Sequence, residues 1–240
     1  MKQCKIHSLE SFSAQDGPGI RYVIFMQGCP ARCIYCQNPD TWDIDSGKLC
    51  SVKEVFGKIE KCLPYLQSSK GGVTVSGGEP LLQPDCLIEL FKLCKKESIH
   101  TAIDTSTFYP ADIDEKSIDK LISLTDLFIV DIKASCIDLH KHITSMELKK
   151  PLEFISRLEK KKKHYWVRYV LVPDLNDSES DIDNLKKILS NLKYCKRFEF
   201  LPYHTLGKHK WELMGLKHPL ENFRAATPED TKKAAARLLA

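Results

Sequence analysis

Three cysteines, Cys29, Cys33 and Cys36, stand in a C-x3-C-x2-C spacing within Gly28-Cys29-Pro30-Ala31-Arg32-Cys33-Ile34-Tyr35-Cys36-Gln37-Asn38. Three thiolates in one loop can hold three irons of a [4Fe-4S] cluster and leave the fourth iron open to a substrate or cofactor. Zinc is the alternative. A structural zinc site is closed by four ligands, yet no second C-x2-C pair follows, and Cys4, His7, Cys50 and Cys62 stand at no typical spacing to complete one. A disulfide framework and unrelated packing thiols are the remaining readings of the cysteines alone.

Other candidate groups are Ser76-Gly77-Gly78-Glu79-Pro80, Asp104-Thr105, Asp131-Ile132-Lys133, Arg168 and His204. Each has a plainer reading. The glycines could only make a turn, the aspartates could cap helices, and Lys133 and His204 could be ordinary surface residues. Ser13-Ala14-Gln15-Asp16-Gly17-Pro18-Gly19-Ile20-Arg21 reads as a tight turn.

The elements that must position these groups alternate. Apolar runs begin at Tyr22, Gly72, His100, Leu127, Tyr165 and Phe198 and read as strands, near-continuous as expected when both faces are buried. Between them lie helical patterns from about Ser51, Pro84, Ser117, Cys136, Pro151 and Ser178, and Thr227-Pro228-Glu229-Asp230 starts a last helix. Cys62 and Cys94 fall on the apolar faces of their helices and read as core thiols. Six strand-helix units are too few to close an eight-stranded barrel. The expected fold is therefore α/β: an open, partial (β/α)6 TIM-type barrel on a parallel sheet, in one domain over 1–240. In such sheets the active site lies at the carboxyl ends of the strands. The cysteines, the two glycines, Asp104, Asp131, Lys133 and His204 all follow strands, so they converge on one rim.

The chain has 240 residues, 42% hydrophobic and 28% charged, an ordinary globular balance with enough apolar content for a core. A net charge of +4 argues for neither nucleic acid nor a membrane. The ten cysteines are scattered, which fits a reducing compartment. The first residues carry no secretory h-region and no apolar run is long enough to span a bilayer. A cytoplasmic location is expected.

Taken together, Cys29-x3-Cys33-x2-Cys36 with Tyr35 before the last cysteine, and Ser76-Gly77-Gly78-Glu79-Pro80 on the next strand, resemble the radical S-adenosylmethionine superfamily. Within it the chain is similar to the pyruvate formate-lyase activating family. The resemblance extends through Asp16-Gly17-Pro18-Gly19-Ile20-Arg21, Asn38-x-Asp40-Thr41-Trp42-Asp43, Lys95 to Thr101, Asp131-x-Lys133, Trp166-x-Arg168-Tyr169-Val170 and the stretch from Leu201 to Trp211.

That resemblance implies a [4Fe-4S] cluster on Cys29, Cys33 and Cys36, with S-adenosylmethionine on the open iron. Gly78 would meet the amino group of the cofactor, and Tyr35, Gln37, Asp131, Ile132, Lys133 and His204 would line the rest of its site. Lys133 and His204 would join the three cysteines as catalytic residues. Asp104, Thr105 and Asp131 would bind a monovalent cation; two carboxylates on neighbouring strands, about 4.8 Å apart, need a cation or a shared proton between them. Reductive cleavage would give methionine and a 5′-deoxyadenosyl radical, which takes a hydrogen from a glycine of pyruvate formate-lyase. An electron donor such as flavodoxin or ferredoxin and a monomeric state are further expectations. Two departures stand out: Gln37 where the family usually has His, and Asp104-Thr105-Ser106-Thr107 where it often has Asp-Thr-Asn-Gly. No ferredoxin-like insertion is present, which favours pyruvate formate-lyase over other glycyl-radical enzymes. The competing readings are an activase of another such enzyme, a radical enzyme acting on a small molecule, and a non-enzymatic zinc or iron-sulfur protein.

Overall fold

The computed structural model describes residues 2–240. Contacts divide the chain into two compact units: residues up to Pro30 with Thr41–Ile129, and Ala31–Asp40 with Val130–Ala240.

The first unit contains β1 (Gln3–Ser13), β2 (Arg21–Met26), β3 (Lys48–Ser51), α1 (Val52–Glu60), α2 (Leu63–Ser68), β4 (Gly72–Gly77), α3 (Pro84–Lys96), β5 (His100–Thr105) and α4 (Glu115–Leu124); β6 (Leu127–Asp131) begins in it. β2, β4 and β5 are parallel, with Tyr22 opposite Val73 and Val73 opposite Thr101. Their side chains Val23, Val73, Val75, Ala102 and Ile103 are wholly buried, the reason these strands read as apolar runs.

Two strands were not anticipated. β1 pairs antiparallel with β2, and β3 antiparallel with β1. β1 buries Cys4 and Ile6 on one face while most of its other residues are at least partly exposed. One wetted face makes it polar along most of its length, so it carries no apolar run.

The turn before β2 is held by packing. Arg21 is fully buried; its guanidinium donates to Thr74 Oγ1 at 2.8 Å and to the Pro18 carbonyl at 3.3 Å. A Cβ on Gly19 would lie 2.5 Å from the Ser69 carbonyl. Asp16 to Arg21 thus serves the amino end of β2, in keeping with a tight turn.

The helix expected from Ser51 is two. Ser51 caps α1 by accepting from Glu54 N–H at 3.2 Å, while the Glu54 carboxylate accepts from Ser51 N–H at 2.7 Å. Pro64 then sits in the first turn of α2, where its missing N–H ends α1 and suits a new helix start. Cys62 is the residue before α2 and only half-buried, so it is a turn residue and not the expected core thiol. Cys94 is wholly buried, as expected. Cys4 and Cys86 form a disulfide joining β1 to α3; no spacing signal announces it.

The second unit holds the end of β6, α5 (Ile137–Thr144), α6 (Lys149–Lys160), β7 (Tyr165–Leu171), α7 (Glu179–Leu189), β8 (Cys195–Pro202), α8 (Lys208–Leu213) and α9 (Pro228–Leu239). β7 and β8 are parallel, with Tyr169 opposite Phe200. Ser178 caps α7 and Thr227 caps α9, as the sequence indicated. Arg237 binds the Asp183 carboxylate at 2.6 Å, joining α9 to α7.

The strand order is β3-β1-β2-β4-β5-β6-β7-β8 in one sheet. It has two ends, so the sheet is open. The α/β class and the open, mostly parallel architecture are those expected, with an antiparallel pair added beside β2.

Candidate active site

In the first unit, β2 hands the chain to Gly28 and Cys29. Gly28 N–H donates to the Thr41 carbonyl at 2.8 Å and Cys29 N–H to that of Trp42 at 3.3 Å. From the neighbouring β4, Gly78 N–H donates to the Met26 carbonyl at 2.9 Å and Glu79 N–H to that of Gly28 at 2.8 Å. A Cβ on Gly78 would lie 2.2 Å from the Gly28 oxygen, and Gly77 has φ +100°. Both glycines are therefore dictated by the approach of β4 to the segment entering Cys29. The N–H of Gly78 is already used, so an incoming amino group, itself a donor, would be met by a carbonyl.

Glu79 is wholly buried. Its carboxylate accepts from Thr105 Oγ1 at 2.6 Å, Ser106 N–H at 3.0 Å and Leu81 N–H at 3.0 Å, and burial pushes its pKa up to about 7. It joins the carboxyl ends of β4 and β5. Thr105 Oγ1 also accepts from Thr107 N–H at 2.8 Å, and Asp104 accepts from Ser76 Oγ at 3.0 Å. Both expected cation ligands on this strand thus have protein partners.

In the second unit, Cys33 is buried and Cys36 half-buried, with Cys36 N–H donating to the Cys33 carbonyl at 3.0 Å. Ile34 N–H donates to the Ile143 carbonyl at 2.9 Å, which hangs the loop on the end of α5. Burial pushes the Cys33 thiol up to about 12, while the Lys133 ammonium pulls the other way. Lys133 Nζ lies 2.5 Å from Asp131 Oδ2. Burial works against the ammonium, but Asp131, Tyr35 and Cys33 outweigh it and hold its pKa well above that of an ordinary lysine. Ile132 is wholly buried, and its N–H donates to the Arg168 carbonyl at 2.9 Å. Tyr35 packs in an apolar cluster with Ala134, Ile143, Val172, Tyr203 and Leu220. His204 is exposed. The side chain of Gln37 bonds to the backbone of His204 and Gly207.

One residue of consequence is missing from the sequence reading, and a second appears there only within a motif. Asn176 is fully buried; its amide donates to the Val170 carbonyl at 2.9 Å and to that of Lys133 at 3.3 Å, and accepts from Val172 N–H at 2.8 Å. It joins the carboxyl ends of β6 and β7. Its only signal is an amide five residues beyond an apolar strand. Trp211 donates from Nε1 to the Cys36 carbonyl at 2.9 Å; the sequence marks it as part of a motif without showing what it touches.

Among the described residues no three His, Cys, Asp or Glu side chains gather around one metal ion. A four-iron cluster asks for less, since each thiolate binds a different iron and the three sulfurs need not meet at a point. The donor set fits such a cluster: three cysteines stand in one loop, and none of them is in a disulfide. The surroundings also suit a polar cofactor. Ser135 Oγ, in the loop after β6, is buried with no hydrogen-bond partner among the described residues.

A model of the radical SAM superfamily matches residues 23–185. The chain is 42% identical over 236 residues to the pyruvate formate-lyase-activating enzyme of Listeria monocytogenes, covering 97% of this chain and 94% of that one. Among solved structures, a domain of a pyruvate-formate lyase-activating enzyme from Bacteroides vulgatus superposes with a TM-score of 0.57 at 25% identity, over 70% of this chain and 93% of that one. A radical SAM methyltransferase from Sphaerobacter thermophilus shares the fold, with a TM-score of 0.66 at 14% identity, over 91% of this chain and 63% of that one.

Proposed function

Because the chain belongs to the radical S-adenosylmethionine superfamily, and within it to the family of pyruvate formate-lyase-activating enzymes, we propose that it is a glycyl-radical activase acting on pyruvate formate-lyase. The observation that carries this reading is the identity to such an enzyme along nearly the whole chain, with the three cysteines at the superfamily spacing. The whole of 1–240 is read as one radical SAM domain.

When bound, the cluster supplies one electron to the sulfonium of S-adenosylmethionine, and the cofactor supplies the carbon radical that takes hydrogen from a glycine of the protein substrate. The chain provides the geometry. Cys29, Cys33 and Cys36 hold three irons. Lys133, kept charged by Asp131, offers an ammonium to the cofactor carboxylate. Gly78 offers a carbonyl to its amino group. Tyr35, with Ile143, Val172 and Tyr203 around it, keeps water from the reacting end. Gln37, Ile132 and His204 border the remainder.

A monovalent cation beside Asp104, Thr105 and Asp131 would take oxygen ligands, as a hard ion requires. Each of those side chains would exchange or share its present partner. A one-electron donor of the flavodoxin or ferredoxin kind supplies the reducing equivalent, and the enzyme works as a cytoplasmic monomer. Among the described residues no helix is long and apolar enough to cross a membrane.

Anaerobic loading with iron and sulfide, reduction, and addition of S-adenosylmethionine tests the chemistry. The reading expects 5′-deoxyadenosine and methionine in equal amounts. Protein carrying four irons that leaves the cofactor intact would overturn it.

A further inference from the structure

Gln37 uses both ends of its amide on one turn of the second unit. Its Nε2 donates to the His204 carbonyl at 3.0 Å, and its Oε1 accepts from Gly207 N–H at 2.8 Å. Nε2 also lies 3.3 Å from the Tyr35 carbonyl. A Cβ on Gly207 would stand 2.8 Å from both Gln37 Cα and Gln37 Oε1, so the backbone approach is one that only glycine permits.

The contacts continue along both segments. The buried Trp211 donates to the Cys36 carbonyl at 2.9 Å. Lys210 Nζ donates to Asn38 Oδ1 at 2.8 Å and pairs with Asp40 at 3.1 Å. Residues 36, 37, 38 and 40 are thus each bound by a residue between 204 and 211. No two of these contacts repeat one another, and the one contributed by Gln37 is the one that holds the backbone of His204.

We propose that Gln37 is a positioning residue: its amide clamps the 204–211 segment onto the cysteine loop, so that Cys36 and His204 are presented to the cofactor as one preformed surface. This rests on the reading that Cys36 binds the cluster and His204 borders the cofactor. The physical argument is one of preorganisation. A ligand that touches both segments loses less affinity to ordering if they are already joined. An amide suits the task because it carries a donor and an acceptor on one carbon. A carboxylate there would keep the acceptor for Gly207 N–H but would set a negative charge against the His204 carbonyl. A leucine would keep the shape and lose both bonds.

The test compares Gln37→Leu, Gln37→Glu and the unaltered protein, each loaded anaerobically with iron and sulfide. Amide exchange at Gly207 reads the clamp directly. In Gln37→Leu it should quicken by about 30-fold, as expected for two lost hydrogen bonds, with Gln37→Glu intermediate. Iron content should stay at the unaltered level, because no thiolate is touched. The dissociation constant for S-adenosylmethionine should rise about tenfold or more in Gln37→Leu and by less in Gln37→Glu, which keeps the acceptor for Gly207 N–H. Unchanged exchange at Gly207 in Gln37→Leu would overturn the clamp. Faster exchange with unchanged cofactor affinity would reduce it to a structural staple and overturn the positioning role. If the unaltered protein itself failed to bind S-adenosylmethionine, the functional reading would fall, and Gly207 exchange would still decide the clamp.

Discussion

The ammonium of Lys133 lies 2.5 Å from the carboxylate of Asp131, and the two side chains are only 11% and 16% exposed. A buried pair of this kind is costly to break from one side, since the remaining charge is left without a partner. Lys133→Met and Asp131→Asn should each destabilise the cluster-free protein by about 3–5 kcal/mol. The double variant should recover most of that loss. Urea unfolding of the four proteins of the cycle reads this. Additive losses in the double variant would mean that the two groups do not depend on each other.

His100 Nδ1 lies 3.2 Å from Arg21 Nη1. A guanidinium only donates, so the imidazole must accept and must be neutral. Burial and the Arg21 charge lower the His100 pKa from 6.5 to about 4, against the opposing pull of Asp126, with Lys95 adding to the lowering. The unfolded chain therefore binds the extra proton first. Stability is unaffected by this group well above pH 6.5, falls as pH drops from about 6.5 to about 4, and levels off below. Allowing for the partial exposure of the ring, the loss is about 1–2 kcal/mol. His100→Asn keeps an acceptor but does not titrate. Chemical denaturation at several pH values should show a flatter profile for that variant; equal slopes would remove the assignment.

Gly78 has no room for a methyl group against the Gly28 carbonyl, 2.2 Å from where its Cβ would be. Backbone must move, and what moves leads straight into Cys29. Gly78→Ala should therefore lower iron content as well as stability, the latter by about 1–3 kcal/mol. Gly57→Ala, at an open helical position with nothing nearer than 3.9 Å, should stabilise slightly or do nothing. Iron analysis of both proteins after identical loading distinguishes them.

The ten cysteines should divide by role. Replacing Cys29, Cys33 or Cys36 with Ala should abolish cluster binding. Cys94→Ala, in the wholly buried core, should cost about 1 kcal/mol and keep the iron. Cys62→Ala, in a half-buried turn, should cost less. Iron retained by Cys33→Ala but lost by Cys62→Ala would mean that the ligands are misassigned.

What the sequence discloses of this fold follows from burial. Strands such as Leu127–Asp131 and Tyr165–Leu171 are buried on both faces and announce themselves as apolar runs. β1 escapes notice because one of its faces is wet, and α2 is masked because its apolar residues continue the period of α1 across Pro64. The site is legible where chemistry demands a residue type at a fixed spacing, as in the cysteine loop. It is not legible where a residue acts through backbone contacts distant in sequence. Asn176 bonding to Lys133, and Gln37 bonding to Gly207, become visible only when the chain is folded. The resemblance implies that Thr105 is a cation ligand, while folded its hydroxyl is bonded to Glu79.

The most direct test of the central claim is electron paramagnetic resonance on pyruvate formate-lyase after anaerobic incubation with the loaded, reduced protein and S-adenosylmethionine. A glycyl-radical signal should appear, dependent on the cofactor, and its hydrogen splitting should change when the partner is labelled with deuterated glycine. No radical on pyruvate formate-lyase, from protein that carries four irons and cleaves S-adenosylmethionine in the same tube, would contradict the assignment of this partner.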